Sequence, residues 1–167
     1  MTSRRAIQQS WPSQERRAAP RRGPARVFAR DDAVAGARQL ATPASVLIVE
    51  DDYLVATEIE AALAAAGFEV AGVAVSAEEA IELAAARRPQ LVIMDIRLAG
   101  ERDGIDAALA LFKRFGIRSI FATAHSDQEA RRRAQAADPL GWLQKPYTTS
   151  SLVQLVRWAV NELEGGR

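Results

Sequence analysis

The sequence predicts a doubly wound α/β domain, a five-stranded parallel sheet with helices on both faces. Two observations carry this. Strand-length runs such as VLIV and LVIM are apolar at every position rather than at alternate ones, so both of their faces are to be buried. From Ser45 onward such runs alternate with helical patterns five times, and strands separated by helices pair in parallel through right-handed crossovers.

The elements follow in order. VLIV (46–49) opens the sheet, and the helix after it places Val55, Ile59, Ala62, Leu63 and Ala66 on one face before Gly67 closes it. VAGVAV (70–75) is the second strand; it leads into SAEE, a capping box from Ser76 to Glu79, and a helix that Pro89 terminates. LVIM (91–94) is the third, separated by a loop from a helix with Ile105, Ala108, Leu109, Phe112 and Phe115 on its apolar face. SIFAT (119–123) precedes a second capping box, Ser126 to Glu129, and GWLQ (141–144) precedes a last helix carrying Leu152, Leu155, Val156, Ala159 and Leu163.

The helix after Ser126 stands apart. Its apolar positions are only alanines (Ala130, Ala134, Ala136, Ala137), while Arg131, Arg132 and Arg133 crowd its middle. With little large apolar surface to dock, it is expected to be the least firmly held helix, its arginines a solvated face.

Residues 1–44 have another texture. They hold nine arginines against Glu15, Asp31 and Asp32, a net of +6, with four prolines and no sustained apolar period. Such a segment cannot bury enough surface to offset the entropy of ordering, and it reads as a disordered basic arm. It is an uncommitted tail, the product of a start codon placed too far upstream, or a segment that holds nucleic acid or an acidic partner electrostatically. Residues 45–167 carry 13 bases and 18 acids, a net of −5.

Composition removes whole classes of chemistry. The 167 residues contain no cysteine, which excludes disulfides, thiolate zinc sites and cysteine nucleophiles. One histidine, His125, excludes metal sites that need several imidazoles. No run approaches the roughly 18 apolar residues of a membrane helix and the N-terminus lacks an apolar signal core, so the expected location is the cytoplasm with no membrane partner.

In open α/β sheets ligands bind beyond the carboxyl ends of the strands, so the residues that end the strands are the candidates. The first strand ends in Glu50, Asp51 and Asp52, the third in Asp95, the fourth in Thr123 and then His125, and the fifth runs through Gln144 into Lys145 and Pro146. Two carboxylates about 4 Å apart repel by roughly 4 kcal/mol at an effective dielectric near 20, so a cluster of three calls for a cation or for raised pKa values. A hard, oxygen-preferring ion such as Mg²⁺ answers this, with a lysine and a hydroxyl opposite for phosphate oxygens. Acids, a metal, a lysine and a hydroxyl without a histidine base suit an aspartate that accepts a phosphoryl group.

The motifs VLIVEDD, LVIMDIRL, the DGI of residues 103–105, ATAHSD and WLQKPY, in that order, resemble the receiver domains of two-component response regulators over residues 45–163. The resemblance implies a flavodoxin-like strand order 2-1-3-4-5. It further implies Asp95 as phosphoacceptor, and Glu50 and Asp51 as the acidic pair, with Asp51 the more direct Mg²⁺ ligand. Arg97 would offer its backbone carbonyl to the metal, Thr123 its hydroxyl to the phosphoryl group and Lys145 an ion pair to a phosphoryl oxygen. The Lys145-Pro146 bond matches one that is usually cis in the family. Trp142 stands at the switch-aromatic position, or packs the last strand without a switching role.

Two departures from the family pattern matter. The loop RLAGERDG lacks the common proline and carries one extra residue before Asp103-Gly104. Arg97 and His125 stand two residues beyond the phosphoacceptor and the switch threonine, positions that in this family influence how water reaches the acyl phosphate. Bulky Arg97 is expected to hinder that attack and lengthen the phosphorylated state; His125 reads as an exposed loop residue.

The implied function is a phosphorylation-activated switch rather than an enzyme, with at most self-catalysed phosphotransfer and dephosphorylation. Its donor would be a sensor histidine kinase or a histidine phosphotransfer protein. Its output surface would be the last two helices and the fifth strand, with Arg131, Arg132 and Arg133 at the rim, and it would act on a protein partner or pass the phosphate on within a relay. The chain ends just after the last helix, which suggests a stand-alone receiver with no nucleic-acid contact except through the basic arm. Two other classes compete: a non-phosphorylated pseudo-receiver or flavodoxin-like small-ligand module, and a phosphohydrolase using a strand-end aspartate. The latter resemble D-x-D, where this chain has Arg97 at the second position.

Overall fold

The structure, a computed structural model, describes residues 42–124 and 128–166. The expectations for residues 1–41, for His125 and for the Ser126 cap lie outside the described residues. Strands β1 (Ser45–Val49), β2 (Glu69–Ala74), β3 (Leu91–Asp95), β4 (Arg118–Thr123) and β5 (Gly141–Gln144) form one sheet. Helices α1 (Tyr53–Ala65), α2 (Ala77–Arg87), α3 (Gly104–Phe115), α4 (Gln128–Ala134) and α5 (Thr149–Gly165) connect or follow them, with a 3₁₀ turn at Gln135–Ala137 after α4. The order is β2-β1-β3-β4-β5 and every neighbouring pair is parallel. Among the described residues no helix is long and apolar enough to cross a membrane.

Strands β1, β3 and β4 bury both faces, as their composition requires, because successive side chains leave a strand on opposite sides, whereas the edge strands β2 and β5 are mostly half-buried. On β1, Val46 and Ile48 face α1 and α5 with Ile59, Leu63, Leu152 and Val156, while Leu47 and Val49 face α2, α3 and α4. Both layers are packed without exposure at their centres: Leu47, Ile48, Leu63, Met94, Leu111 and Phe121 are fully buried.

Local details depart from expectation in three places. The strand expected at 70–75 begins at Glu69 and ends at Ala74, leaving Val75 exposed. The α2 capping box is half formed: Ser76 Oγ accepts the Glu79 N–H at 3.2 Å, but Glu79 Oε2 accepts from Val75 N–H, not from that of Ser76. The apolar face of α3 is rotated: Ile105, Ala107, Ala108 and Leu111 are buried, whereas Leu109, Phe112 and Phe115 are only half-buried. The cause is that α3 packs against both the sheet and α2, so its core stripe lies between those two directions.

Candidate functional site

The strand order turns around between β1 and β3: the chain runs outward from β1 to β2 on one side and from β3 through β4 to β5 on the other. Beyond the carboxyl ends of those two strands lies the crevice in which such sheets bind ligands. Glu50 and Asp51 follow β1 and Asp95 ends β3, so the topology brings all three carboxylates to this crevice. One oxygen from each lies within 4.8 Å of the others. Asp52, the third acid of the run, is turned away: it caps α1, its Oδ1 accepting the N–H groups of Leu54 at 2.9 Å and Val55 at 3.2 Å.

Backbone contacts set each of these positions. The Glu50 N–H continues the β1–β2 ladder to Ala74 O at 3.0 Å, and the Lys145 N–H donates to Thr123 O at 2.7 Å, extending β5 by one residue. Asp95 lies level with Ala122 of β4, and Thr123 level with Gln144 of β5. The Lys145-Pro146 bond is cis.

The Lys145 ammonium bridges the corner, 2.7 Å from Glu50 Oε2 and 2.7 Å from Asp95 Oδ2. Glu50 is 3% exposed, Asp95 8% and Thr123 7%, while Asp51 is open to solvent. At 4.8 Å or less, two of these carboxylates repel by roughly 3.5 kcal/mol or more at an effective dielectric near 20, so the shared ammonium offsets a substantial cost. Burial raises the Glu50 carboxyl above its ordinary value; the hydrogen bond from Lys145 opposes this and the charge of Asp95 reinforces it. Burial by itself would lower the Lys145 ammonium, but the bonds to Asp95 and Glu50 outweigh it and the net direction is up. Glu50, Asp51, Asp95 and Lys145 together sum to a formal charge of −2.

The loop after β3 is folded onto the acids. The Arg97 N–H donates to Asp95 Oδ1 and the Ala99 N–H to Asp51 Oδ2, both at 3.2 Å, while the Arg97 side chain is exposed. Asp103 caps α3, its Oδ1 accepting from Ile105 and Asp106 N–H at 3.0 Å. A Cβ on Gly104 would stand 1.8 Å from the Asp95 carbonyl oxygen, so only glycine lets α3 start this close to the phosphoacceptor candidate. The DGI motif is therefore a cap and a close approach.

Trp142 lies one layer away, half-buried and stacked on Phe121 with centroids 4.8 Å apart at 24°. Arg131 covers the same ring, its guanidinium carbon 4.6 Å from the centroid. Arg133 pairs with Asp103 at 2.7 Å and Asp106 at 3.4 Å. All three arginines are exposed, as a solvated face requires, and two of them also reach beyond α4, Arg131 to β5 and Arg133 to α3.

Comparison with known proteins agrees with this architecture. A family model described as Response regulator receiver domain matches residues 46–157. The transcriptional regulatory protein PdtaR of Mycobacterium tuberculosis is 36% identical over 121 residues, covering 72% of this chain and 58% of PdtaR. The chemotaxis protein CheY of Thermotoga maritima is 32% identical over 110 residues, covering 65% of this chain and 91% of CheY. Among solved structures, the receiver domain of a modulated diguanylate cyclase from Desulfovibrio desulfuricans superposes with a TM-score of 0.68 at 33% identity, over 74% of this chain and 98% of that one. The chain spans less than two thirds of PdtaR, so what the match covers is the receiver region. With five parallel strands in the order 2-1-3-4-5 and an acidic crevice at their ends, the chain belongs to the response regulator receiver domain family.

Proposed function

We propose that this domain is a phosphorylation-activated switch in a two-component phosphorelay, with Asp95 as the phosphoacceptor. The observation that carries the reading is the Lys145 ammonium set 2.7 Å from both Asp95 and Glu50 at the end of the central strand, with Asp51 beside them. A carboxylate oxygen of Asp95 attacks the phosphorus of a phosphohistidine. The O–P bond forms as the N–P bond breaks, and the imidazole nitrogen keeps the electron pair and takes up a proton.

The donor set fits a hard divalent cation: three carboxylates, left with a residual charge of −2 once Lys145 is counted, and among the described residues no nitrogen or sulfur ligand in the cluster. Glu50, Asp51, Asp95 and the Arg97 backbone carbonyl would hold Mg²⁺, which would neutralise charge on the phosphoryl oxygens. Lys145 releases its bond to Asp95 and pairs with a phosphoryl oxygen, and the Thr123 hydroxyl donates to another. Thr123 in moving leaves space that Trp142 can enter, and α4 shifts with it. The bulky, exposed Arg97 side chain, two residues beyond Asp95, would hinder the approach of water to the acyl phosphate and slow its loss.

Donor and output surfaces follow from exposure. Tyr53 and Leu54 are 78% and 76% exposed in the first turn of α1, next to Asp51 and Asp52, which suits docking of a histidine kinase or a histidine phosphotransfer protein. The face of α4, β5 and α5 would contact a downstream protein partner in the cytoplasm. The test is phosphotransfer from a phosphorylated histidine kinase in Mg²⁺, read by intact mass. The native domain is expected to gain one phosphoryl group and Asp95→Asn none. A native domain that stays unlabelled by every kinase and by a small acyl phosphate would overturn the reading in favour of a ligand-binding module.

A further inference from the structure

The three arginines of α4 each reach a different element. Arg132 pairs with Glu129 in its own helix, Arg131 covers the Trp142 ring, and Arg133 crosses to α3, where its two terminal nitrogens meet Asp103 and Asp106. The last contact joins segments 30 residues apart in sequence.

Asp103 divides its carboxylate between two tasks. Oδ1 caps α3 and Oδ2 receives Arg133. The residue after it, Gly104, rests against the Asp95 main chain with no space for a Cβ, and its N–H donates to Ile96 O at 2.9 Å. The start of α3 therefore cannot move independently of the strand end that carries Asp95. Helix α4, in contrast, offers the core only Ala130 and Ala134, with Ala137 in the turn behind it, so its apolar contacts restrain it weakly. An ion pair near its C-terminal end is a large part of what fixes its place.

We infer that Arg133 is a positioning residue: through Asp103 it ties α4 to the segment that carries Asp95 and so opposes the displacement of α4 when Asp95 is modified. The inference rests on the reading of Asp95 as phosphoacceptor and adds a second connection between that residue and α4, besides the one through Thr123 and Trp142. Arg131 acts in series, since moving α4 also uncovers the Trp142 ring. Modification of Asp95 must supply the energy to break both contacts, and the unmodified domain is held in its resting arrangement.

The test is calorimetric titration with beryllofluoride in Mg²⁺, a stable mimic of a phosphoryl group on a carboxylate, at low salt. Arg133→Ala is expected to bind roughly two- to fivefold more tightly than the native domain, the scale of an exposed ion pair. Asp103→Asn keeps a capping side chain and is expected to do the same, and the double variant to gain no more than either single one. Arg133→Lys should return most of the native affinity. In about 1 M NaCl, where the screening length is about 3 Å, the difference between native and Arg133→Ala should close. A general loss of stability would not tighten binding, so equal or weaker binding by Arg133→Ala, or additive single effects, overturns the inference. If the native domain binds no beryllofluoride while Asp95→Asn behaves identically, the phosphoacceptor reading itself has failed, and this inference with it.

Discussion

The acidic corner and the α4 layer occupy neighbouring strand ends but are held by different forces. The corner grows out of β1 and β3, where Leu47, Ile48, Ile93 and Met94 are buried among large side chains on both faces of the sheet. Close packing leaves such strand ends little freedom, so Glu50 and Asp95 are presented in one geometry. α4 brings two buried alanines and depends on arginine contacts at the surface. Surface ion pairs are weak and adjustable, whereas packed cores are neither. A stiff site beside a lightly held helix would suit the proposed switch, because a small electrostatic change at the site could move only the second.

The contrast can be broken most forcefully from the core. Ile93→Ala should lower stability by about 2–5 kcal/mol in urea unfolding, against less than about 1 kcal/mol for Arg133→Ala. Similar losses in the two variants would erase the distinction.

Next in size is Lys145→Met, which leaves Glu50 and Asp95 facing each other without a cation and should cost about 1–3 kcal/mol, since the lysine side chain is 25% exposed. The pH dependence has a definite sign. The folded pKa of Lys145 is raised, so its contribution is fully present below the unfolded pKa and disappears as pH rises through the folded value. The deficit of Lys145→Met should therefore persist through neutral pH and close in strongly alkaline solution, and a deficit unchanged there would count against the ion pair as its source.

Arg97→Asn addresses the loop over the corner. The half-life of the phosphorylated domain should shorten roughly three- to tenfold, about 1 kcal/mol of barrier, and an equal or longer half-life would contradict the shielding role. The smallest effect belongs to the α4 side. Burial raises the Asp103 carboxyl, but the Arg133 hydrogen bond and the capped N–H groups outweigh it and the net direction is down. Its contribution is thus present above the unfolded pKa and lost as pH falls through the folded value. Native protein should exceed Asp103→Asn by under about 1 kcal/mol at neutral pH, with the difference vanishing below the ordinary carboxylate range.

Much of the corner was legible in the sequence because it depends on where strands end. Five apolar runs locate five strand ends, and parallel topology collects those ends on one edge, which places Glu50, Asp51, Asp95, Thr123 and Lys145 together without any knowledge of side-chain contacts. The division of labour within Glu50-Asp51-Asp52 was not legible, since an acid after a strand and an acid before a helix look alike until α1 is seen to begin at Tyr53. The α3 stripe was misplaced because Leu111 and Leu109 fit a helical period equally well, and packing against α2 decides between them. The reach of Arg133 to Asp103 was invisible for a further reason: a run of three arginines carries no mark of which distant acid one of them will meet.

Whether charge taken up at Asp95 moves α4 while the corner strands stay put is open to one direct measurement: hydrogen exchange of the native domain with and without beryllofluoride in Mg²⁺, followed by mass spectrometry. Changes are expected to concentrate in residues 128–144, with β1 and the body of β3 as protected as before. Unaltered exchange in α4, or changes spread evenly through β1 and β3, would contradict the account.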